Sequence, residues 1–219
     1  MNYYAIIGDI KESKKIENRY EVQEKLKDIL DNVNRFYNDE IAANFLITLG
    51  DEFQGLLKNP AHILDIIKYI QREMYPIKLR IGIGIGEMST KINNNFAIGA
   101  DGPAFYAARK MVETIHELEK KIRKQAPDIQ ISFYERDSFE TVEVNMMLSL
   151  LKTIEDNWSE KQRRTIWNMM ENPGSQEECA DKMGTTQSTI ARRLSDGKYV
   201  IYQRSIETIG KAICKLGDA

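Results

Sequence analysis

The sequence predicts an α+β fold, a split-βαβ sheet domain followed by an all-helical domain. Three observations predict it. Short Ile- and Leu-rich runs alternate with 3.6-period apolar patterns in the order β-α-β-β-α-β-α-β over the first 134 residues. From about Trp158 every apolar pattern is helical. The chain has 219 residues, 42% hydrophobic and 29% charged, which is enough ordinary globular sequence for one large domain or two small ones.

Tyr3 to Ile7 reads as a buried strand ended by Gly8-Asp9. Val22, Leu26, Ile29, Leu30, Val33, Phe36 and Tyr37 recur at helical spacing. Ala43 to Leu49 and Phe53 to Leu57 are two strands joined by the tight turn Gly50-Asp51-Glu52. Asn59-Pro60 opens a second helix with Ile63, Ile66, Ile67 and Ile70 inward. Ile77 to Ile85 is a fourth strand, whose glycines admit close approach of another backbone or a ligand. KINNN reads as a hairpin loop, Ala104 to Gln125 as a helix ended by Pro127, and Ile129 to Tyr134 as a fifth strand. This is the ferredoxin-like order with an extension, in which the first and third strands are antiparallel neighbours at the sheet centre. Asp9 and Asp51 should therefore meet.

The run ITLGDEFQGLL, residues 47–57, sets two acids in a segment otherwise made for burial. Charge there is costly unless it is paired or metal-bound. The acids are either plain turn residues or ligands of a divalent cation, Mg2+ or Mn2+, which needs one or two hard carboxylates and open positions for phosphate oxygens. The loop after Asp9 carries Lys11 and Lys14 just before a helix, where lysines and amides suit polyphosphate. The bland reading of that loop is a solvated surface.

A net charge of −2 excludes a uniformly basic nucleic-acid binder. From Trp158 onward lysine and arginine outnumber acids 10 to 8, whereas acids lead 25 to 21 before it. Any polyanion contact is thus expected near the C-terminus. Cys179 and Cys214 read as thiols in helical context, and His62 and His116 as solvated or capping residues. No apolar run reaches the length of a membrane span and no leader is evident, so the expected location is cytoplasmic.

Residues 174–199 have the cadence of a helix-turn-helix. Gln176 to Met183 forms one short helix, Gly184 turns, and Thr185 or Thr186 caps the next. Gln187, Ser188, Thr189, Arg192 and Arg193 should project from it, with Ile190, Ala191 and Leu194 packing. These are side chains able to read base edges or hold phosphates of double-stranded DNA through residues 176–194. A helical dimerisation module would use the same packing. The last helix, through Ile206, Ile209 and Ile213, fits core or dimer contact.

The segments AIIGDIKESKK, ITLGDEFQGLL, LRIGIGIGE and AIGADGPAFYAARKM resemble the successive motifs of class III nucleotidyl cyclase domains. GDEF also resembles the diguanylate cyclase signature. The wording, with GDI, LGDEFQG and GADGPAFYAAR, is most similar to the SatD family. The resemblance implies a palm-type, nucleotidyl cyclase-like domain at 1–137, a linker helix at 138–157 and a helix-turn-helix domain at 158–219. By position it makes Asp9 and Asp51 metal carboxylates, with the Ile10 carbonyl and Glu52 as further ligands. It sets Arg109 where cyclases stabilise the transferring phosphate. Asp101 and Gly102, in the differently spaced GADGP loop, are nucleotide-binding candidates. The sequence departs from the cyclase pattern at Phe105, where an asparagine is usual, and at Ile47, where adenylyl cyclases carry a purine-reading lysine. The implied function is a DNA-binding regulator whose cyclase-like domain binds a nucleoside triphosphate with metal, as a homodimer. The alternative is an active nucleotide cyclase regulated or dimerised through its C-terminal helices.

Overall fold

In a computed structural model the chain is described at residues 1–93, 101–136 and 138–218. Five strands form one mixed sheet: β1 Tyr3–Ile10, β2 Ile41–Leu49, β3 Glu52–Leu57, β4 Leu79–Gly86 and β5 Ile129–Phe133, in the order β2-β3-β1-β4-β5. β1 is antiparallel to both β3 and β4, and β5 joins parallel to β4. The predicted βαββαβ order and the central antiparallel pair are therefore present, with β5 added at one edge. The tail of the KINNN loop, residues 94 and 95, and the stretch to residue 100 lie outside the described residues.

Period-two alternation divides β1 between two cores. Tyr4, Ile6 and Ile10 face α1 (Arg19–Phe36) and α2 (Ile63–Met74). Ala5 and Ile7 face α3 (Pro103–Ile122), together with Leu56, Ala104, Phe105 and Ala108. The β4 glycines serve backbone approach. A Cβ on Gly84 would lie 1.9 Å from the Ala104 carbonyl oxygen, and one on Gly82 would lie 2.1 Å from that of Ala108. Only glycine lets α3 sit this close to the sheet.

β1 runs on past the expected stop at Gly8. Asp9 pairs in register with Glu52 of β3 and Arg80 of β4, because a central strand has a ladder partner on each side. The turn proper is Gly50-Asp51, with Gly50 at φ 63°, a left-handed conformation that glycine adopts without cost.

The remaining chain is helical: α4 Phe139–Asp156, α5 Glu160–Glu171, α6 Gln176–Lys182, α7 Gln187–Asp196 and α8 Tyr199–Asp218. α4, expected as a linker, packs on β5 and α8. Its Val144, Leu148 and Leu151 join the same buried cluster as Trp158, Ile166 and Tyr202. Among the described residues no helix is long and apolar enough to cross a membrane. Cys179 is buried and Cys214 partly so, and neither forms a disulfide.

Candidate functional site

The C-terminal end of β1, the β2–β3 turn, the start of β4 and the outer half of α3 bring a charged group of residues together. Asp9 lies on the α3 side of the sheet by parity with Ala5 and Ile7. Its Oδ1 accepts from Arg80 Nη1 at 3.0 Å. Arg80 in turn donates from Nε to Glu119 at 2.7 Å, and Glu119 also pairs with Lys11 Nζ at 2.7 Å. Lys11 is shared with Asp128. A chain of alternating charges, Asp9–Arg80–Glu119–Lys11–Asp128, thus runs across the ends of three strands.

Arg80 is the residue that sequence reasoning missed. It is 8% exposed, and a buried guanidinium is tolerable only with partners. The available signal was a lone arginine inside the otherwise apolar run LRIGIGIG.

Burial pushes the Asp9 carboxyl above the usual carboxylate range against the pull of Arg80, and the nearby Asp51 and Glu119 push the same way. Glu119 is also desolvated, yet its bonds to Lys11 and Arg80 prevail and hold it below the usual range. Asp51 sits in the turn next to Glu52, the ladder partner of Asp9. Ile10 is buried by its side chain on the opposite face.

Glu52 turns onto Arg109, with contacts of 3.2 and 3.4 Å, and takes a 3.2 Å bond from the Thr48 hydroxyl. The Arg109 side chain is half-exposed. Lys14 lies exposed in a short 3-10 turn, Ser13–Lys15. Among the described residues no cluster of three or more His, Cys, Asp or Glu side chains forms that could hold a metal. A cation at Asp9 and Asp51 would complete its shell from backbone carbonyl, water or phosphate oxygens, which suits Mg2+ and Mn2+.

Asp101 and Gly102 do not join this group. They precede α3 beside Glu87–Ser89, where Asp101 accepts from the Tyr106 hydroxyl at 2.6 Å and Gly102 is closely packed. That is the Tyr3 end of β1, about 20 Å along the strand from Asp9. Phe105 is 5% exposed, packed with Ala5 and Ile7, so its position offers no polar group to a ligand.

In the helical part, Ser175 makes a capping box with Glu178 at the start of α6. Gly184 turns at φ 59°, and the Thr186 hydroxyl caps α7 by accepting from the Thr189 amide. Ile190 and Leu194 of α7 are buried, while Gln187, Ser188 and Arg192 are exposed. Gln187 donates to Gln176 at 3.0 Å. Thr189 is partly occupied with the cap, and Arg193 leans back to the Thr165 hydroxyl of α5 at 3.4 Å.

With this geometry in place, comparison with protein-family models matches residues 3–213 to the SatD family. The chain belongs to the SatD family. No curated protein matches it. Among solved structures it is similar to a bacterial light-regulated adenylyl cyclase, at 12% identity and a TM-score of 0.44, over 60% of this chain and 75% of that one. It is similar also to the non-canonical dimeric guanylyl cyclase domain of the RhoGC fusion protein from the aquatic fungus Blastocladiella emersonii. There the identity is 14% and the TM-score 0.40, over 52% of this chain and 74% of that one.

Proposed function

We propose that this SatD family member is a DNA-binding regulator whose sheet domain binds a nucleotide together with Mg2+ or Mn2+. The observation that carries the DNA reading is α7. It is a capped helix seated by Ile190 and Leu194 on its neighbours, with Gln187, Ser188 and Arg192 on its exposed side. Arginine and glutamine there suit base edges and phosphates of the major groove. Arg193, tied to Thr165, then has a positioning role. The division into a sheet domain at 1–137, a joining helix and a DNA-binding domain at 158–219 belongs to this proposal, as does a homodimer reading two half-sites.

The metal reading is supported by the strand register, which pairs Asp9 with Glu52 and so sets it beside the Gly50-Asp51 turn; a bound cation would favour the ionised Asp9 carboxylate. A cation there supplies charge neutralisation for phosphate oxygens. Arg109, ion-paired to Glu52 and half-exposed, and the exposed Lys14 are further positive charges that phosphates could engage. The active-cyclase alternative draws on these same acids and on Arg109. Phe105 weighs against it, because an apolar, buried side chain occupies the position where that chemistry uses an amide.

Equilibrium dialysis of the full chain against ATP and GTP, with and without Mg2+ or Mn2+, tests the sheet domain. Metal-dependent binding that is lost in Asp51→Asn, with no cyclic or linear product formed, supports a sensor. Product that vanishes in the same variant makes the chain an enzyme. Binding that ignores both metal and Asp51 removes the acids from the site.

A further inference from the structure

We infer that the outer face of α4 is a self-association surface, occupied by the antiparallel α4 of a second copy of this chain. This does not depend on the nucleotide or DNA readings. The inner side of α4 buries Val144, Leu148 and Leu151. Asn145 secures that docking. Its amide donates to the Ile131 carbonyl and accepts from the Ile131 N–H, both at 2.8 Å, so the outer edge of β5 is closed by a side chain.

The opposite side of the helix carries Phe139, Val142, Met146 and Leu150, which are 73%, 58%, 60% and 59% exposed. Steps of three and four residues line them up as one stripe about 16 Å long. Together they leave on the order of 500 Å² of apolar surface open, as much as a monomer's largest patch normally shows. With its polar rim, the patch approaches the roughly 800 Å² per partner of a standard interface. A solvent-facing helix side normally carries charge. Here the exposed side holds none between Glu143 and Asp156.

Two features select a second copy as the occupant. A membrane surface would want lysine and arginine on the helix itself, flanking the stripe, but the exposed charges of α4 before Asp156 are Glu140 and Glu143. The stripe is symmetric about Met146, with Val142 and Leu150 four residues to either side and Phe139 and the exposed Thr153 seven. A two-fold axis at Met146 then sets Val142 against Leu150 of the other copy, as an isologous contact requires.

Sedimentation equilibrium of the full chain is the test, with Met146→Lys and Met146→Cys as variants. The inference predicts a dimer for the unaltered chain and a monomer for Met146→Lys, with the helical circular dichroism kept and an unfolding midpoint that no longer rises with protein concentration. Met146→Cys should cross-link to a dimer with a short bismaleimide, above the background set by Cys179 and Cys214. A monomeric unaltered chain, or a Met146→Lys dimer as tight as the original, overturns the inference. If the lysine variant misfolds, the cysteine variant decides, and failure to cross-link it likewise overturns the inference.

Discussion

Arg80 and its two carboxylates organise the acidic end of β1. One guanidinium serves both Asp9 and Glu119, and the two acids move in opposite directions from their ordinary behaviour. Glu119 lies below the usual range, so its ion pairs stabilise the fold fully above the ordinary carboxylate value. That stabilisation is lost as the pH falls through the lower, folded-state value. Asp9 lies above the usual range, so its ionised form costs stability at neutral pH and its protonation on mild acidification relieves that cost. Replacing Glu119 by glutamine should therefore destabilise the chain at neutral pH, and the deficit should shrink as acid protonates the native glutamate. Urea unfolding midpoints of both proteins across the acid range check this, and a pH-independent difference contradicts it.

At the scale of elements, the close fit of α3 on β4 and the joint between sheet and helices carry most of the specific packing. Gly84 faces the Ala104 carbonyl at a distance no Cβ can share, so Gly84→Ala must lift α3 from the sheet. A loss of about 1–3 kcal/mol is expected, read as a lower unfolding midpoint. In the joint, the buried Tyr202 hydroxyl of α8 donates to Glu155 of α4, which also takes Lys68 of α2. Burial, with Glu155 adding to it, holds that phenol protonated well above its usual range. Tyr202→Phe should cost about 1 kcal/mol, and a variant as stable as the original would show that the bond contributes nothing. The order of these elements was legible because each apolar period is local. The spacing of LRIGIGIG announced close approach but not its object, since α3 begins 17 residues after β4 ends. Arg80 was overlooked for a related reason. Its partners lie 71 and 39 residues away, and only strand register and helix docking bring them together.

For the whole molecule, the sheet and the C-terminal helices share one continuous buried cluster. The far end of α8 returns to the start of β1, where the Asn2 amide donates to the Gly217 carbonyl at 3.0 Å. Sequence order correctly placed Asp9 beside the hairpin acids. Asp101 and Gly102 have no clear counterpart in the cyclase pattern, and the direction of α3 along the sheet carries their loop to the other end, beside Glu87–Ser89. Residues 140–156 read only as a further helix or linker, because apolar residues on both sides of one helix blur the single period that marks a buried face. The proposed regulator joins a helical reader of DNA to a metal-nucleotide domain. The most direct measurement is selection of duplexes from a random-sequence pool by the full chain, beside a variant carrying Gln187→Ala and Arg192→Ala. The unaltered chain should enrich a defined site, and the variant should lose it. No enriched site, or the same site recovered by the variant, would contradict it.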